Sequence, residues 1–288
     1  MTKVLVTGAT GLLGCSLVPL LQERDHQVIR MGHSHASDLN IDLTSYEQTA
    51  RALDDAKPDV IINLAALTNI DRCETHPQEA YLLNVKTVEN LCTWMKTAGK
   101  ACHLIQISTD QVYDGLGPHA EGELTIRNFY AMAKLASEFI AGAVPSTILR
   151  TNFVGRSQCG RRVSFTDWLH DALLGQTSVT VFEDVMFSPL AISTLCDCID
   201  RCIVERPLGV FNLGSRDGMS KAYFAFAFAA ALGLETTNLK RDNASSIDAL
   251  VANRPTDMRM NSERFIDRMG IKMPRLIDEI QLMTYDYR

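Results

Sequence analysis

Tyr130 and Lys134 stand four apart in "NFYAMAKLASEF", a helical pattern that puts both on one face. An ammonium beside a phenol favours phenolate, so the pair could exchange a proton with a carbonyl or alkoxide near neutral pH. Upstream, "QISTDQVYDG" (106–115) crowds hydroxyls, one carboxylate and one amide at the end of an apolar run. Ser108 or Thr109 there would hydrogen-bond the reacting oxygen. Each feature also has a plain structural reading: a packed Tyr beside a Lys lying along apolar surface, and a turn whose side chains cap backbone groups. A third feature favours the chemistry. "VTGATGLLG" sets Gly8, Gly11 and Gly14 between a strand-like run and a helical one. Such a turn lets backbone approach a pyrophosphate, and the helix N-terminus supplies unpaired N–H groups to hold it.

The elements that must carry these residues follow from periodicity. Short β-branched runs at 3–7, 27–31, 59–65, 102–108 and 146–151 read as strands. Between them, helical patterns lie at 12–24, 45–56, 77–98 and 129–142. That alternation implies right-handed crossovers and a parallel sheet covered on both faces. After Thr151 the rhythm loosens: a loop at 158–162, a strand at 178–182, a helix at 190–204, a strand and turn at 209–215, then mainly helix beyond 219. A core domain with a smaller C-terminal lobe packed on it is expected.

The 288 residues are 46% hydrophobic and 22% charged, enough for a large core, and the net charge of -6 with scattered cations argues against nucleic acid or an anionic membrane as partner. The eight Cys form no C-x-x-C, and no secretory signal is legible; free thiols, no metal site and a cytoplasmic location are expected. The glycines interrupt the N-terminal apolar run, which excludes a membrane span there.

Cofactor type should show after the second strand, where an acid would accept from the ribose 2′-OH of NAD. Here "VIRMGHSHASD" offers Arg30, His33, Ser34 and His35 instead, which favours NADP while leaving NAD open. Asp42, after that loop, is placed to accept from the adenine amino group or to cap the helix that follows.

The chain resembles the extended short-chain dehydrogenase/reductases, and most closely their dTDP-4-dehydrorhamnose reductase group. The resemblance runs through "TGATGLLG", "KPDVIINLAALTNIDRCE", "NV" at 84–85, "STDQVYDG", "YAMAK", "LRTNFVG", "SPLAIST" and "RPTDMRMN". It implies a Rossmann-like, doubly wound parallel α/β sheet: a dinucleotide-binding core over 1–152 with 188–213 returning to it, and a substrate-binding lobe from 153–187 and 214–288. It implies Thr109, Tyr130 and Lys134 as the catalytic triad, with further cofactor contacts from Thr10, Leu12, Leu13, Leu43, Ala65, Ala66, Thr68 and Asn84. Substrate contacts would come from Thr109, Asp110, Gln111, Asn152, Phe153 and Arg254, the last pairing with a diphosphate. Arg161 and Arg162 are further candidates for that role.

Related sugar-nucleotide dehydratases carry Thr-Asp-Glu where this chain has Thr109-Asp110-Gln111, and a neutral amide cannot serve as the base for elimination. The resemblance therefore implies NADPH-dependent reduction of the C4 keto group of a nucleotide-linked 4-keto-6-deoxyhexose, with a homodimer left open. Three departures bear on the hexose: Gln111 replaces a family Tyr, Asn152-Phe153 replaces Ser-Trp, and Ser164-Phe165 replaces Asn-Phe. The alternatives are an epimerase that retains NAD, and a dinucleotide-binding regulatory subunit like that of methionine adenosyltransferase. Intact Thr109, Tyr130 and Lys134 weigh against the second.

Overall fold

A computed structural model of the chain describes residues 1–32, 37–99, 101–244 and 251–288. The N-terminal half supplies strands β1 (Lys3–Thr7), β2 (Gln27–Gly32), β3 (Leu39–Asn40), β4 (Val60–Asn63), β5 (His103–Thr109) and β6 (Ser146–Thr151). Its helices are α1 (Leu12–Glu23), α2 (Tyr46–Ala56), α3 (Ile70–Thr75), α4 (Pro77–Tyr81), α5 (Thr87–Thr97) and α6 (Phe129–Ala141). The C-terminal half adds β7 (Phe153–Val154), α7 (Phe165–Leu174), β8 (Val179–Phe182), β9 (Met186–Phe187), β10 (Leu190–Ala191), α8 (Ile192–Glu205) and β11 (Gly209–Leu213). It ends with β12 (Met219–Ser220), α9 (Lys221–Leu232), β13 (Leu239–Asp242), α10 (Glu263–Met269) and α11 (Leu276–Thr284).

Seven strands form one sheet in the order β11-β6-β5-β4-β1-β2-β3, with every recorded neighbour pair parallel. The order reverses between β1 and β4, which opens a crevice at the carboxyl ends of those strands. Side chains alternate across the sheet as the pleat requires. Val4 and Val6 join α1 and α8 on one face through Leu17, Leu21, Leu195 and Ile199. Leu5 and Ile61 face the other way, onto Leu53 of α2 and Leu91 and Trp94 of α5.

The expected helix over 77–98 is interrupted. A π-helical turn at Leu82–Lys86 joins α4 to α5, a distortion frequent at functional sites. The stretch beyond 219 is not wholly helical either: β13 pairs in parallel with β8, Leu239 opposite Val179. Its sequence "LKRD" buries only Leu239, so no period-two apolar signal marks it. A second core cluster joins α7, α9 and α11 through Leu169, Phe224, Phe228 and Ile280. Phe265 and Met269 of α10 instead join the core under the sheet, so the chain returns to that domain again after β11. Among the described residues, no helix is long and apolar enough to cross a membrane.

Candidate active site

The glycine turn leaves β1 through Gly8 at φ +62 and closes with the Gly11 amide donating to the Gly8 carbonyl at 2.9 Å. A Cβ at Gly8 would stand 2.9 Å from Ala65 N, and one at Gly14 would stand 2.5 Å from the Ala9 carbonyl oxygen. Both positions therefore exclude a side chain, and α1 can approach the sheet closely. Gly11 is the N-cap of α1, and no side chain caps it. The first-turn amides, with the positive end of the helix dipole, remain available to an anion.

Two adjoining cavities run from this turn along the strand ends. One, of about 440 Å³, is lined by Gly8, Gly11, Leu12, Leu13, Ala66, Thr68, Thr109, Asp110, Gln111, Tyr130, Lys134, Asn152 and Phe153. The other, of about 340 Å³, meets Gly8, Thr10, Gly11, Asp42, Leu43, Ala65 and Ala66. The chain therefore brings the three catalytic candidates to one end of a cleft whose other end is the glycine turn. Nicotinamide dinucleotide chemistry needs that layout. A third groove of about 480 Å³, lined by Arg24, Asp197, Arg201 and Lys272 among others, gathers no residue expected at the site.

Geometry decides between the two hydroxyls at the end of β5. Ser108 Oγ donates to the Glu138 carboxylate, which also holds Arg150 through Nε at 3.0 Å and Nη2 at 2.6 Å. Ser108 is thus engaged in a buried structural network. Thr109 Oγ1 accepts from the Gln111 amide at 3.1 Å and lines the cavity beside Tyr130.

Asn128 caps α6 by accepting from the Ala131 amide at 2.9 Å, which fixes the turn that carries Tyr130. One turn on, Lys134 Nζ donates to the Ile107 carbonyl at 2.6 Å. Burial pushes the Tyr130 phenol well above its usual range; the Thr109 hydroxyl opposes this, and Asp110 and Cys73 add to it. The sequence suggested that Lys134 would draw the phenol down, but here its ammonium faces the β5 backbone and burial dominates. A phenol held protonated is the form a proton donor requires. Burial also lowers Lys134 to about 8, against Glu138, which raises it.

Asp110 is pushed up to about 6 by burial, partly offset by the Asn152 amide at 2.6 Å and by Lys221. Lys221 gave no sequence signal, because it opens a helix far along the chain. Gln111 donates Nε2 to Met258 Sδ at 2.8 Å, and its buried Oε1 has no partner among the described residues. Arg254 donates Nη2 to Asp71 at 2.8 Å, and its buried Nη1 is likewise unpartnered. An unpaired buried polar atom costs about 1–3 kcal/mol, and Gln111, which lines the cavity, thereby offers its carbonyl to a ligand group.

Several expected contacts lie elsewhere. Arg30 lines neither cavity; its Nη2 pairs with Asp38 at 2.6 Å, and the Asp38 amide donates to the Arg30 carbonyl at 2.9 Å. Asn84 also lines neither. It accepts from the Leu67 amide at 2.7 Å and donates to the Leu67 carbonyl at 3.1 Å, buttressing the floor loop from the π-helical turn. Arg254 is outside both linings, held back by Asp71. Asp42 does line the smaller cavity, where it accepts from the backbone and hydroxyl of Thr44; Ser45, not Asp42, caps α2. His33 and Ser34, with His35, lie outside the described residues. Conversely, Arg161 and Arg162, which the sequence offered for a substrate diphosphate, line the cavity at the glycine turn.

Comparison with known proteins follows from this geometry. Residues 1–288 match the model of the family described as RmlD substrate binding domain. The dTDP-4-dehydrorhamnose reductase of Sinorhizobium fredii is 28% identical over 287 residues, 94% of this chain and 93% of its own. Methionine adenosyltransferase 2 subunit beta of Xenopus laevis is 28% identical over 292 residues, 93% of this chain and 83% of its own. The crystal structure of dTDP-4-dehydrorhamnose reductase from Bacillus anthracis, in complex with NADP, has the same fold at a TM-score of 0.89 and 21% identity over 99% of each chain.

Proposed function

Because the chain belongs to the RmlD substrate binding domain family, we propose that it is an NADPH-dependent oxidoreductase reducing the C4 keto group of a nucleotide-linked 4-keto-6-deoxyhexose in deoxysugar biosynthesis. The observation that carries this reading is the continuous cleft from the uncapped N-terminus of α1 to Thr109, Tyr130 and Lys134. The glycine cradle fits a dinucleotide: Gly8 and Gly14 leave no room for a Cβ. Gly8, Thr10, Gly11, Leu12 and Leu13 would hold the pyrophosphate, and Asp42, Leu43, Ala65 and Ala66 the adenosine. When bound, NADPH supplies the hydride.

The chain's own residues supply the rest. Tyr130, kept protonated by burial, gives its proton to the oxygen at C4. Thr109 aligns that oxygen by a hydrogen bond, a contact that strengthens as charge develops on it. Lys134 orients the cofactor ribose. The Asp110 carboxylate, held by Asn152, and the unpaired Gln111 carbonyl receive sugar hydroxyls, with Phe153 against the ring and Arg254 toward the diphosphate. With an amide at position 111, the sugar lacks the carboxylate that the related dehydratases present there as base. Eight cysteines without a disulfide fit a reducing compartment, so the reading is completed by a cytoplasmic location, with a homodimer compatible.

The relative that is a subunit of methionine adenosyltransferase favours a second reading, a dinucleotide-binding regulatory subunit. NADPH oxidation with dTDP-4-keto-6-deoxy-L-mannose separates the two. Turnover is expected, falling about 10²–10⁴-fold in Tyr130→Phe with NADPH binding retained. Tight NADPH binding with no turnover of any 4-keto sugar nucleotide would overturn the reductase and support the subunit.

A further inference from the structure

We infer that Arg161, on the loop between β7 and α7, reads the 2′-phosphate of NADP, so that cofactor choice is made from the C-terminal half of the chain. This rests on the NADP reading above and says which residue carries it. The end of β2 is where a Rossmann chain ordinarily places that residue. Here its one described cation, Arg30, is already neutralised: Nη2 lies 2.6 Å from Asp38 Oδ1, and Nε 3.2 Å from both carboxylate oxygens. Arg30 also stands outside the cofactor cavity.

The cavity at the adenosine end has two cations in its lining, Arg161 and Arg162, against one acid, Asp42. Asp42 Oδ1 accepts from both the amide and hydroxyl of Thr44. Neither Arg161 nor Arg162 makes a side-chain hydrogen bond or ion pair among the described residues. The two divide the cleft between them. Arg162 lines both cavities and so stands where a pyrophosphate must cross; Arg161 lines only the adenosine end.

Their loop is tied down. Cys159 Sγ donates to the Thr10 carbonyl at 3.2 Å, bringing the loop onto the glycine turn. The Arg162 amide donates to the Cys159 carbonyl at 3.2 Å. The Asp167 carboxylate accepts from the Ser157 amide at 3.1 Å and the Ser164 amide at 2.9 Å, closing the loop at both ends.

A second observation lies beside Gly32 and Thr10 of the cavity lining. Ser37 Oγ is buried with no partner among the described residues. A Cβ on Gly32 would stand 2.6 Å from it and 3.8 Å from Thr10 Oγ1. A donor hydroxyl without an acceptor among the described residues, beside two residues of the lining that also holds Arg161, suits a phosphate oxygen.

Calorimetric binding of adenosine 2′,5′-bisphosphate and of 5′-AMP to the full chain tests this, because the two differ only in the 2′-phosphate. Wild type should prefer the bisphosphate. Arg161→Ala should lose about tenfold of that affinity and keep its affinity for 5′-AMP, which also shows that the variant is folded. Arg30→Ala should change neither. A wild type that binds both ligands equally would remove the NADP reading and this assignment with it. A wild type that discriminates, beside an Arg161→Ala that discriminates equally, overturns only the assignment to Arg161.

Discussion

Glu138→Gln separates the chemistry from the scaffold beneath it. The carboxylate accepts from Ser108 and from Arg150, at 2.6 Å from Nη2, and the two side chains are only 2% and 4% exposed. Arg150 continues to the Tyr113 hydroxyl at 2.7 Å and the Glu121 carbonyl at 2.6 Å, so it cannot turn toward water when its counter-ion is removed. Removing one partner of a buried pair costs about 3–5 kcal/mol. For a chain of this size that is a fall in melting temperature on the order of 10 °C. A second effect follows from position. Glu138 lies one turn beyond Lys134 on α6 and raises its pKa against burial, which brings it to about 8. A depressed lysine loses its proton as pH rises through that value, so the alkaline limb of the rate profile should lie near 8. Without the Glu138 charge the limb moves to lower pH. Urea unfolding and the pH dependence of NADPH oxidation, both well below the lower melting temperature, read the two effects. The double variant Glu138→Leu/Arg150→Met should recover most of the stability and keep the shifted limb. A loss under about 1 kcal/mol in Glu138→Gln, or a limb that stays in place, would refute the reasoning.

Two further substitutions probe the sugar end of the cleft. Gln111→Leu removes a buried carbonyl oxygen with no partner among the described residues; it should gain about 1 kcal/mol in unfolding free energy while raising KM for the keto sugar. An unchanged KM would show that this carbonyl meets no substrate group. Asp110 has its pKa raised to about 6 by burial, so between about 4 and 6 the native chain holds a proton that the unfolded chain has lost. The carboxylate therefore costs stability as pH rises through that window. Asp110→Asn should be the more stable protein above pH 6 and gain nothing below 4, measured by urea unfolding across the range; parallel pH dependences in the two proteins would contradict this.

Two kinds of information in the sequence had different reach. Local patterns specified what local physics controls. The β-branched runs became five of the seven sheet strands near their expected bounds, "GVFNL" became a sixth, and Gly8 and Gly14 stand where a Cβ would strike backbone. The Tyr-x-x-x-Lys spacing put both side chains on one face because a helix repeats every 3.6 residues. The amide at 111 is likewise read from the sequence alone, and it lacks the carboxylate that the related dehydratases carry at that position.

What depends on distant partners was settled only by the tertiary structure. Ser108 and Thr109 are adjacent hydroxyls at the same cleft; only the tertiary structure ties Ser108 to Glu138 of α6 and leaves Thr109 with the Gln111 amide beside Tyr130. Arg30 looked like the cofactor's cation until the fold set Asp38 against it, whereas Arg161, offered for a substrate diphosphate, is carried to the glycine turn by its loop. The state of Tyr130 also depends on its surroundings: spacing suggested an ammonium that lowers its pKa, and burial raises it instead. Charge and burial are sums over neighbours brought together by the whole chain, and a linear pattern records only those a few residues away.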